Sequence, residues 1–156
     1  MSDAPAAASE VPKPAPPTID VAAERAEMAR LLGEALDAGG CGFSAQLLGP
    51  NTVQRDYDGT PMITDTMSHE DLVFFASVLR EKGRGFMQVI GADPGLTERL
   101  CEASSRPVVW NALVLAADQH GHTYGQYRDV IRWIDQANAR GHRVFAQALT
   151  CQNNYE

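Results

Sequence analysis

Amide and hydroxyl side chains recur at one kind of place in this chain, within or just beyond short apolar runs. Ser44 and Gln46 close the run Cys41-Gly-Phe-Ser-Ala-Gln46, and Gln88 lies in Gly85-Phe-Met-Gln-Val-Ile90 with Asp93 just beyond it. Asn111 lies in Pro107-Val-Val-Trp-Asn-Ala-Leu113, and Gln147 in Arg143-Val-Phe-Ala-Gln-Ala-Leu149, ahead of Thr150 and Cys151. An amide offers both a donor and an acceptor, which suits hydrogen bonding to a polar substrate. The same groups could instead satisfy neighbouring loop backbone, because buried amides need partners of some kind.

His120-Gly-His122 is the paired-histidine motif of the chain. On a strand, side chains at i and i+2 share a face, and two imidazoles so placed can bind one metal ion. Here Asp118, Gln119, Gly121 and Gly125 surround the pair, a composition that reads as a loop, and a solvated loop ahead of a helix needs no metal. His69 and His142 fall at helix ends and read as surface or capping residues. There is no GxSxG elbow, no Walker loop and no GxGxxG behind a strand. Gly83-Arg-Gly85 precedes its strand, so it cannot cradle a phosphate at a following helix. Trp110 and Trp133 fit strand and helix patterns and read as core. Lys13 and Lys82 are the only lysines, which leaves none on a strand to bridge two metals.

The elements that must position these residues follow from apolar spacing. Residues 1–18 are dominated by Ala and Pro; proline removes donors and small side chains bury little, so this is expected to be a disordered or extended arm. From 19 to 156 the chain has a steady rhythm. Asp20 caps a predicted helix to about Ala38, with Ala22, Ala26, Ala29, Leu32 and Leu36 at helical spacing, and Gly39-Gly40 stops it. After the first strand, Gly49-Pro50, Asp58-Gly59 and Pro61 mark a long loop from Leu47 to Met67. A second helix runs from Ser68, with Asp71 as capping-box partner, to Lys82-Gly83. Asp93-Pro94 opens a third helix to about Ser104, and a fourth spans about Tyr124 to Arg140 before Gly141. Strands 41–46, 85–90, 107–113 and 143–149 alternate with these helices, a pattern of four helix–strand units.

Alternating units with continuous apolar strands predict an α/β fold with a parallel sheet covered by helices. Four such units make either a small open sheet or half of a β/α barrel. The full eightfold barrel typically needs ~250 residues, and the chain has 156. Both options leave unpaired strand edges, and a half-barrel also leaves its concave face open. No Lys- or Pro-protected edge strand is present, which favours a partner chain or self-association.

Composition narrows the function classes. Hydrophobic residues make up 44% of the chain, enough for a core, and the formal net charge is −7. An acidic chain without a Lys/Arg cluster lacks the footprint of a nucleic-acid binder or of an anionic membrane surface. No apolar run reaches the ~18–20 residues of a spanning helix. The N-terminus lacks the charged and apolar regions of a secretory signal, and the three widely spaced cysteines read as reduced thiols, so a cytoplasmic location is expected.

Several segments, in order, resemble one family. Leu31-Leu-Gly-Glu-Ala-Leu-Asp-Ala-Gly-Gly-Cys-Gly-Phe-Ser44, Asp58-Gly-Thr-Pro61 and Leu79-Arg-Glu-Lys-Gly-Arg-Gly-Phe-Met-Gln88 are similar to passages of the N-acyl-D-amino-acid deacylase branch of the amidohydrolase superfamily. So are Ser104-Ser-Arg-Pro-Val108, Ile134-Asp-Gln-Ala-Asn-Ala-Arg-Gly141 and Val144-Phe-Ala-Gln147. The resemblance covers a central portion of the family's barrel. It implies a β/α (TIM-type) barrel, hydrolysis of a C–N bond in an amide, and a divalent metal, zinc, that activates water. The family's first-strand HxH would lie upstream of this region and its late aspartate downstream. Its two middle strand-end histidines would fall around Val89 and Ala112, where this chain has none.

Two accounts follow from that departure. The chain is one subunit of a multi-chain amidohydrolase-like enzyme, contributing strands and the substrate contacts Ser44, Gln46, Gln88, Asp93, Asn111 and Gln147 while other barrel-fragment chains supply most metal ligands. Alternatively, it is a non-catalytic structural or regulatory half-barrel that has lost the metal centre. A homodimer joining two halves is a third arrangement.

Overall fold

The computed structural model describes residues 20–52, 54–114, 116–117, 120, 122–124 and 127–148. The arm expected over 1–18, together with Thr150 and Cys151, lies outside them. α1 (Val21–Asp37) starts at Asp20, whose carboxylate accepts from the amides of Ala22 and Ala23 at 3.1 and 3.2 Å. It leads through Gly39-Gly40 into β1 (Gly42–Gln46). α2 (His69–Lys82) starts on Ser68, which accepts from the Asp71 amide at 3.1 Å and donates to the Asp71 carboxylate at 2.7 Å. That exchange satisfies an orphan helix donor and is the predicted capping arrangement. β2 (Phe86–Ile90) follows, then α3 (Pro94–Ser104), capped by Asp93 through the Leu96 amide at 2.8 Å. β3 (Val108–Leu113), α4 (Tyr127–Ala139) and β6 (Val144–Ala148) complete the pattern.

Two features depart from the expected elements. The 47–67 loop carries a short 3-10 helix, Ile63–Thr66, and an antiparallel bridge between Arg55 and Pro61. Between β3 and α4, a two-residue ladder joins β4 (Ala116–Ala117) to β5 (Thr123–Tyr124), so α4 begins at Tyr127 rather than near Tyr124.

The four long strands form one parallel sheet in the order β1-β2-β3-β6. Chain order and spatial order coincide, with no reversal. Because a parallel crossover is right-handed, an unreversed order carries every connecting helix to the same side of the sheet. Burial agrees. Ala45, Met87, Val89, Val108 and Val144 are buried against Leu36, Leu72, Leu79, Leu96 and Leu100 of the helices. Leu36, Leu72, Leu79, Met87 and Leu100 are each fully buried, at roughly 1.5–3 kcal/mol per side chain.

The alternate strand positions face the other way, and none of them is buried: Ser44 and Gln147 are exposed, and Gln46, Gln88, Val109 and Asn111 are intermediate. Phe86 and Phe145, on that same face, are 38% and 54% exposed. The molecule is therefore a singly wound α/β layer pair, with helices on one face and no described helix on the other. No helix among the described residues is long and apolar enough to cross a membrane.

Candidate functional site

The uncovered face carries its side chains in rows set by the parallel register. Ser44 lies beside Gln88, Gln88 beside Val109, and Val109 beside Phe145. One step toward the carboxyl ends, Gln46 lies beside Ile90, Ile90 beside Asn111, and Asn111 beside Gln147. Period-two alternation puts both rows on one face, and neighbouring strands stand about 4.8 Å apart. Gln46, Asn111 and Gln147 thus share a row, as continuous strands ending in amides predict. Gln88 Nε2 also reaches Gln147 Oε1 at 3.4 Å, across the intervening strand.

Two observations sharpen what this row offers. Asn111 Oδ1 is buried and meets no hydrogen-bond donor among the described residues, an unsatisfied acceptor within the row. The β3–β6 register shifts between Asn111 and Leu113, an irregularity of the kind that re-aims side chains at sheet ends.

At the β1 end the row rests on Asp65, a residue of the 3-10 helix that is only 7% exposed. Its carboxylate accepts from Gln46 Nε2 at 2.9 Å and from the Leu48 amide at 2.8 Å. No described Lys or Arg pairs with it. Nothing in the spacing marked Asp65, because its partners lie 19 and 17 residues away in sequence, across a stretch legible only as loop. Gly42 sets the opposite end of β1. A Cβ there would stand 1.8 Å from the Phe86 carbonyl oxygen, so only glycine lets the two backbones approach this closely.

The remaining candidates sit elsewhere. Asp93 is engaged as the α3 cap and belongs to neither row. His120 and His122 lie on the connection between β4 and β5, outside the parallel sheet, with ring centroids 6.2 Å apart and planes inclined at 52°. Among the described residues, no group of three or more His, Cys, Asp and Glu side chains could hold a metal ion.

A cavity of about 570 Å³ opens between Trp110, Tyr127 and Trp133 on the helix-covered side. Both indole N–H groups are engaged, Trp110 with the Ala92 carbonyl at 2.9 Å and Trp133 with Glu98 at 2.8 Å. The cavity therefore presents ring surface and no free indole donor. It does not coincide with the amide row, and the row, with its convergent polar groups, is the stronger candidate site. Compared with protein-family models, with curated proteins and with solved structures, the chain matches none of them.

Proposed function

We propose that this chain is half of a β/α barrel that works within an amidohydrolase-like enzyme, hydrolysing a C–N bond in an amide substrate. The observation that carries this proposal is the uncovered sheet face with its row of Gln46, Asn111 and Gln147 toward the carboxyl ends of three of the four parallel strands. In β/α barrels that is the end where substrates bind. An unreversed strand order with helices on one side is also the winding of a barrel, and a doubly wound sheet would reverse. The reaction type comes from the resemblance to the N-acyl-D-amino-acid deacylase branch.

In this proposal the row's amides bind and orient the substrate's polar groups. Other barrel-fragment chains close the face and supply most ligands of a divalent metal, zinc in the first instance. When bound, such a metal supplies activated water and polarises the carbonyl. Among the described residues no group of three or more potential ligands forms that centre. The assembly acts in the cytoplasm, where its thiols stay reduced.

The test is co-expression with a barrel-fragment chain that carries an upstream HxH, followed by assay on N-acyl amino acids. Hydrolysis is expected from the complex and not from the isolated chain; full turnover by the isolated chain would sink the proposal. The alternative, a non-catalytic half-barrel subunit, draws on Val89 and Ala112, which stand where the resemblance places histidines. Stoichiometric zinc in the complex, lost on mutation of strand-end residues here, would count against it.

A further inference from the structure

We infer that Asp65 is a positioning residue that fixes Gln46 as a hydrogen-bond acceptor, so that the β1 end of the row selects a substrate carrying an N–H. This rests on the proposed amide-hydrolase role and specifies which part of the substrate that end of the row meets.

A glutamine side chain is ambivalent: its two halves are nearly the same shape, one donating and one accepting. Which half faces a ligand depends on what holds the other. Asp65 removes the ambiguity. An ionised carboxylate only accepts, so its contact at 2.9 Å is made by the Gln46 nitrogen. A flipped amide would set carbonyl oxygen against carboxylate oxygen, two acceptors with no proton between them. The other carboxylate oxygen is occupied by the Leu48 amide at 2.8 Å, which anchors Asp65 to the chain just past β1. Asp65 itself is 7% exposed, so water does not freely replace either bond.

With its nitrogen committed, Gln46 has its carbonyl oxygen left to meet a ligand, and among the described residues no donor reaches that oxygen. Asn111 Oδ1, in the same row, likewise meets none. A fixed acceptor at this end of the row matches a secondary amide, whose N–H is the donor beside the scissile C–N bond. An ester, with oxygen in place of that N–H, offers it nothing.

The assembled complex tests this with an N-acyl amino acid and its ester counterpart. In Asp65→Asn, whose amide can donate or accept, Gln46 is free to turn. The ratio of kcat/KM for amide over ester is expected to fall about tenfold, the effect of one lost hydrogen bond. The loss should appear in KM more than in kcat. Gln46→Ala should give the same fall, and adding Asp65→Asn to it should change nothing further. A separate measurement needs no turnover: the side-chain amide proton resonances of Gln46, read by NMR on the ¹⁵N-labelled chain, should shift and exchange faster in Asp65→Asn. Folded variants that keep the wild-type ratio would overturn the inference, as would Gln46 resonances unmoved by Asp65→Asn. Absence of any amide turnover would instead overturn the proposed function and with it the N–H selection, leaving the resonances to decide whether Asp65 orients Gln46.

Discussion

Glu98 gathers two donors onto one carboxylate, Trp133 Nε1 at 2.8 Å and the Arg140 guanidinium at 2.6 Å, and His142 Nε2 stands 3.4 Å from its other oxygen. It lies on α3 and its partners lie on or just beyond α4, so it ties the two helices together. The Arg140 hydrogen bond, with the Trp133 indole behind it, holds the Glu98 carboxyl below its usual range. A carboxyl with a lower pKa folded than unfolded stabilises the fold above the ordinary glutamate value of about 4.3, and that contribution is lost as pH falls through the lowered folded value. Glu98→Gln is therefore expected to cost about 1–2 kcal/mol at neutral pH, with the difference from wild type shrinking on acidification. Urea denaturation at a series of pH values checks both. His142 shows the limit of sequence reading at this scale. Its place after a helix suggested a surface or capping residue, yet its side chain is 14% exposed and meets Glu98, a residue of a different helix. Asp65 escaped notice for the same reason. Side chains whose partners are distant in sequence leave no local period behind them.

At the scale of elements, two substitutions separate local from tertiary causes. Asp93→Ala removes the α3 cap and is expected to cost about 1 kcal/mol, while Asp93→Ser keeps most of the stability because its hydroxyl can accept from the same amide. Urea midpoints for the pair check this, and a loss of turnover in the serine variant, despite its kept stability, would show that Asp93 also serves substrate. Gly42→Ala forces β1 away from β2 at a contact that admits no atom, and about 3 kcal/mol of destabilisation is expected in thermal unfolding. The alternation of helix and strand was legible because glycine stops and apolar periods are local signals. The amide row was legible too, since alternation along a strand assigns faces. What the residues could not decide was a small open sheet against a half-barrel, because both share one alternating pattern. The β4–β5 ladder was invisible for a simpler reason: Ala116-Ala117 and Thr123-Tyr124 are too short to show a period.

Across the whole molecule, the uncovered face is the dominant feature. Phe86 and Phe145 leave ring surface exposed beside polar neighbours on it. Phe145→Lys removes no core contact and is expected to change stability by about 0.5 kcal/mol or less; under the proposed assembly it weakens association with a complementary chain. Sedimentation or native mass measurement of wild type and variant, alone and with a complementary chain, reads that association directly.

The unreversed order β1-β2-β3-β6 also bears on how the chain is made. Each strand leaves the ribosome after the neighbour it pairs with, so its template is already in place and no strand waits for a later one to be inserted between them. Synthesis at about 5–20 residues per second gives each helix–strand unit seconds to dock before the next emerges. A permuted chain beginning at β6 would lose that order. Its first strand would have no neighbour until β3 arrived, and an unpaired edge would stand exposed throughout translation.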